Sequence, residues 1–115
     1  METMSSLFGQ IEKLNLPKVP VLRVPSSVVT AAEGVGLTVA ITSPSAPEQY
    51  EFSRDGEAAG YVRVRHGAMS VDYPTAGDEQ LHEGAVSGFG GFEDDEREAK
   101  LLFAIGLIEA RMFSA

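Results

Sequence analysis

Residues 61–73, YVRVRHGAMSVDY, decide the fold. Apolar and polar residues alternate on both sides of His66-Gly67. A two-residue turn there joins Tyr61–Arg65 to Ala68–Tyr73 as a β-hairpin. In that register Val64 faces Met69 and Val62 faces Val71 on one side of the sheet. Arg63, Arg65, Ser70 and Asp72 share the other side. A slip of one residue would send the valines to the polar face, so the clean separation fixes the pairing. Arg63 is expected to be balanced by Asp72 across the hairpin.

Working upstream, Asp55-Gly56 separates Tyr50–Arg54 from Glu57–Val64 and signals a second tight hairpin. A plain two-residue turn puts Tyr50 and Phe52 on the face opposite Val62 and Val64. A bulge near Gly60 restores the match. Val28–Thr30 and Leu37–Thr42 carry β-branched residues and read as further strands, with Gly34 and Gly36 turning between them. Downstream, residues 74–78 end one strand and Gln80–Val86 supplies another. The whole of Ser26–Val86 therefore reads as β.

The C-terminal fifth changes period. Glu93, Asp94, Asp95 and Glu96 precede an apolar run from Leu101 to Ile108. Acids in the first turn complement the positive end of a helix dipole, which predicts a helix over Glu93–Phe113. Glu93–Arg97 and Glu96–Lys100 are spaced for i, i+4 pairs. Leu101, Ile105, Ile108 and Met112 form a core stripe. Phe103 and Leu107 lie roughly opposite it. Ala99, Gly106 and Ala110 form a lane of small residues. A helix that is apolar on two sides is either central and covered on both, or it meets a partner.

The N-terminal 25 residues form an arm. Leu7, Phe8, Ile11 and Leu14 recur at helical spacing. A helix so short needs something to dock on. Pro17, Pro20 and Pro25 then hold an extended segment carrying Val19, Val21 and Val24. The arm either folds back on its own domain or reaches a neighbouring subunit. The expected organisation is thus an arm, 1–25, and one α+β domain, 26–115. That domain is an antiparallel meander packed against one long C-terminal helix.

The chain has 115 residues, no cysteine and a formal net charge of −8. Disulfides and thiolate metal sites are excluded. The charge opposes direct binding to nucleic acid or to an anionic membrane surface. Arg63 and Arg65 beside Tyr61 are too few to overcome it. The glycines of Gly84–Gly91 sit between strand and helix, where a phosphate loop sits, but their spacing fits neither common phosphate-binding pattern. No lysine follows them, and four acids fill the position an anion would take. The same acids lack the alternating ladder of a calcium loop. His82 has Asp78, Glu79 and Glu83 nearby in sequence, which allows only a weak divalent site. Ser87-Gly88-Phe89-Gly90 suits a backbone nest but has no base partner for nucleophilic catalysis. No cofactor is expected.

These readings point to a non-enzymatic protein–protein interaction or structural module of a larger assembly, such as a phage or microbial accessory subunit. The expected partner is another protein or a second copy of the chain, in the cytoplasm or an assembly formed there. The residues expected to carry it are Phe103 and Leu107 on the helix, and Leu7, Ile11, Val19 and Val21 on the arm. The acidic Glu93, Asp94, Asp95 and Glu96 are included as well. The alternative is an acidic mimic of a phosphate backbone, because Asp78–Glu98 holds eight acids against the single base Arg97. A small enzyme without a recognisable motif is the third reading.

Overall fold

The computed structural model of the chain describes residues 22–114. They form helix α1 (Ser26–Gly34), strands β1 (Thr38–Pro44), β2 (Glu48–Arg54), β3 (Glu57–Arg65), β4 (Ala68–Tyr73) and β5 (Glu79–Ala85), and helix α2 (Asp94–Met112). The strands lie in the order β1-β2-β3-β4-β5, each antiparallel to its neighbour. The expected meander with a C-terminal helix across it is present.

Both tight turns form as their sequences dictate. Asp55 and Gly56 take φ of 51° and 82°, and His66 and Gly67 take 55° and 76°. Positive φ at both central residues is the turn geometry that matches the right-handed twist of paired strands. Val64 opposes Met69 and Val62 opposes Val71. In the first hairpin Phe52 opposes Gly60 while Ser53 opposes Ala58, so Ala59 is the extra residue of a bulge. The bulge returns Tyr50 to the side of Val62, its direct partner. Gly60 also lets α2 come close: a Cβ there would lie 2.4 Å from Ile108 Cδ1.

One element differs in kind. Val28–Thr30 lies inside α1 and is not a strand. Pro25 precedes the helix, and its carbonyl accepts from the N–H groups of Val28 (2.9 Å) and Val29 (3.1 Å). Proline at a helix start costs nothing, because its missing N–H would have no partner there. Val28 and Ala32, four apart, are both fully buried. That packing outweighs the modest preference of β-branched residues for strands.

The core lies between the sheet and the two helices. Tyr50, Phe52, Val62, Val64, Met69 and Val71 meet Leu101, Ala104, Ile105 and Ile108 of α2, with Val28, Ala32 and Leu37 beside them. The stripe expected on the long helix is therefore core at Leu101, Ile105 and Ile108, and Met112 packs at its margin. The opposite sheet face is polar. Its two central rows are Gln49–Arg63–Ser70–Glu83 and Ala40–Glu51–Tyr61–Asp72. Arg63 stands opposite Ser70, not Asp72. The Asp72 carboxylate instead accepts from Gly77 N–H at 2.9 Å, tying down the β4–β5 loop.

Candidate interaction surface

The glycine-rich loop and the acidic stretch are explained by structure before any ligand is considered. Gly90 carbonyl accepts from Ala46 N–H (3.0 Å) and Glu48 N–H (2.9 Å), and Phe89 carbonyl from Gly67 N–H (2.8 Å). The loop thus closes the end of the sheet. Gly88 is required by crowding, since a Cβ would sit 1.7 Å from Gly91 carbonyl oxygen. The backbone nest exists, and Glu96 fills it. Its carboxylate accepts from the N–H groups of Ser87 (2.9 Å), Gly88 (2.9 Å) and Glu93 (2.8 Å). Burial works to raise the Glu96 pKa, but those three donors outweigh it and hold the carboxyl below its ordinary value. An external anion would have to displace a carboxylate already in place.

Beneath this loop lies a buried ionic cluster. Glu48 is 1% exposed. Its carboxylate accepts from Arg97 Nε (2.8 Å) and NH2 (3.1 Å), from Phe92 N–H (3.0 Å) and from the Tyr50 hydroxyl. Arg97 NH2 also donates to Phe92 carbonyl at 2.9 Å, and NH1 to Asp94 at 2.7 Å. Hydrogen bonds to Glu48 are the main reason the guanidinium pKa is raised. Burial, then the bond to Glu48, pushes the Tyr50 hydroxyl up. Arg97 therefore turns to Glu48 and Asp94 and not to Glu93. Every buried polar side-chain atom among the described residues has a partner. The cluster locks the start of α2 onto β2 and leaves no poised, unpartnered acid or base.

The histidines do not converge with carboxylates. His82 packs edge-on against Phe103, ring centroids 4.9 Å apart, and His66 packs likewise against Phe89 at 5.7 Å. Among the described residues no three His, Asp or Glu side chains are grouped to hold a metal ion. No helix among them is long and apolar enough to cross a membrane.

Among the described residues, exposed apolar side chains lie at Phe89 in the glycine loop, 71% exposed, and along the outer side of α2, where Phe103 also touches His82. Phe103 is 47% exposed and Leu102 38% exposed. Ala99, Gly106 and Ala110 are exposed on the same side. A Cβ built on Gly106 meets nothing within 4 Å, so the fold gives this glycine no packing role. Leu107 is half-buried and packs against the core, closer in than Phe103. Phe113, near the helix end, is exposed under the Arg54 guanidinium, 5.2 Å from the ring centroid.

The sequence-derived candidates therefore separate. Phe103 lies on the exposed face and Leu107 at its inner margin. Glu93, Asp94, Asp95 and Glu96 stand together at the start of α2, with Asp94 and Glu96 engaged internally. Leu7, Ile11, Val19 and Val21 lie outside the described residues, as does the expected arm helix. Two features escaped the sequence reading. Leu102 on the outer face is legible from its spacing to Ala99 and Gly106. Glu48 shares the alternation of Tyr50 and Phe52, which marks it as an inward-facing acid. The chain matches no protein-family model, no curated protein and no solved structure.

Proposed function

We propose that this chain is a non-enzymatic protein–protein interaction module that self-associates as part of a larger assembly, in the cytoplasm or in an assembly formed there. The observation that carries the reading is the outer face of α2. Leu102 and Phe103 are exposed around Gly106, which has open space where a side chain would be. A glycine in mid-helix costs about 1 kcal/mol against alanine. Close approach of a second backbone gives it a use, and exposed aromatic and aliphatic groups beside it supply the apolar area.

The polar clusters support this reading by being structural. Glu48 and Arg97 satisfy each other, and Glu96 closes the glycine loop. The acidic stretch offers less free charge than its sequence suggests, which weakens the case for a mimic of a phosphate backbone. Glu79 pairs with Arg111 and Asp94 with Arg97.

Light scattering on the wild type and on Gly106→Leu tests the proposal. The wild type is expected to exceed the mass of one chain, and Gly106→Leu to lose that excess while keeping its circular dichroism. A Gly106→Leu protein that associates as well as the wild type contradicts it.

A further inference from the structure

We propose that strand β1 pairs through its open edge with β1 of a second copy, antiparallel and centred on Ala40, so that the two sheets run on as one. The contact is separate from the outer side of α2 and goes beyond that reading.

The two edges of the sheet differ in chemistry. β5 carries Glu79 and Glu83, charges that keep copies of a chain of net charge −8 apart. β1, Thr38-Val39-Ala40-Ile41-Thr42-Ser43-Pro44, carries no charge, and β-branched residues dominate it. Its guards stand at one end, a bulge between Ile41 and Ser43 and then Pro44. Thr38–Ile41 is left as an uncharged template with no strand beyond it among the described residues.

Hydrogen-bond alternation fixes which groups face that edge. Arg65 and Ala68 flank a two-residue turn and so bond to each other, and bonded and unbonded pairs then alternate along the strands. Val62 therefore bonds to Tyr50 of β2, and the next residue, Glu51, bonds to Ala40. Val39 and Ile41, on either side of Ala40, are left aiming N–H and C=O outward, and among the described residues no loop backbone bonds to them. Pairing two β1 strands about Ala40 sets Val39 of each opposite Ile41 of the other. Both of those pairs are hydrogen-bonded, which gives about four bonds in all. The same register brings the half-buried Val39 and Ile41 of both copies together on the core side of the sheet. The patch is thus complementary to itself, as a two-fold contact requires. A seam this small falls well short of the ~1,200 Å² of a stable interface, so alone it is transient, and it holds where a second contact keeps the copies together.

Disulfide trapping tests the seam directly, because the chain has no cysteine of its own. Ala40 is exposed and, on the two-fold axis, stands in a non-hydrogen-bonded pair with its own copy, at a Cα separation of about 4.5 Å that a disulfide spans. Thr38 lies two residues from the axis, so its Cα atoms in the two copies are about 14 Å apart. Full-length Ala40→Cys, Thr38→Cys and Gln49→Cys are oxidised separately with copper–phenanthroline. Ala40→Cys is expected to give a covalent two-chain product about tenfold faster than the other two. Equal rates at the three positions, or no two-chain product from Ala40→Cys, overturn the proposal. The wild type supplies a second reading, since amide hydrogen exchange at Val39 and Ile41 is expected to slow as protein concentration rises. Exchange there that is independent of concentration overturns the proposal as well. Rapid trapping at Ala40, in a chain whose sedimentation mass is the same with and without Phe103→Glu, keeps the seam and removes the α2 surface. A mass that drops with Phe103→Glu while Ala40→Cys traps no faster than Gln49→Cys keeps the α2 surface and removes the seam.

Discussion

Glu48 shows how one buried charge organises a region of this molecule. A carboxylate so enclosed costs several kcal/mol in desolvation unless it is paired and hydrogen-bonded. Arg97, Phe92 N–H and Tyr50 supply those partners. Removing the guanidinium strands the charge, so Arg97→Met should cost about 3–5 kcal/mol in a urea titration. A change under about 1 kcal/mol, the scale of a surface ion pair, would show that the cluster is worth no more than one. Glu96 carries a pH signature. Its folded pKa lies below the ordinary value, so its contribution is present above the unfolded carboxylate pKa and is lost as pH falls through the folded one. Glu96→Gln should therefore be less stable at neutral pH and converge with the wild type in acid. Parallel stability curves for the two proteins would refute the role given to this carboxylate.

At the level of elements, legibility followed locality. The hairpins around Asp55-Gly56 and His66-Gly67 were readable because turn and alternation agree within a few residues. The bulge at Ala59 was readable because only it reconciles Tyr50 with Val62. The α1 helix was not. Val28-Val29-Thr30 has a strand composition, and only the docking of Val28 and Ala32 on the core reveals the helix. The Glu48–Arg97 pair was equally hidden, since its members are 49 residues apart and Arg97 had a nearer acid in sequence. The α2 core stripe was plain from its period. Ile105 is 4% exposed, and Ile105→Ala should cost about 2–5 kcal/mol by calorimetry or denaturant titration. An unchanged denaturation midpoint would remove Ile105 from the core.

The described residues form a five-stranded meander with helices on one face, their apolar side chains gathered between the layers. That much was written in alternation, turn chemistry and one helical period. The proposed association surface was written only in part, because a sequence shows that a helix is apolar on two sides but not which side its own sheet will take. The structure assigns Leu101, Ile105 and Ile108 to the sheet, leaves Leu102 outside, and sets Phe103 half-exposed beside His82 of β5. Sedimentation equilibrium of the wild type beside Phe103→Glu tests the central claim most directly. The expected wild-type mass is a multiple of 12.3 kDa. Phe103→Glu is expected to fall to 12.3 kDa with an unchanged circular dichroism spectrum. A wild type that stays at 12.3 kDa across all concentrations would contradict self-association, and an unfolded Phe103→Glu would put Phe103 in the core of its own chain.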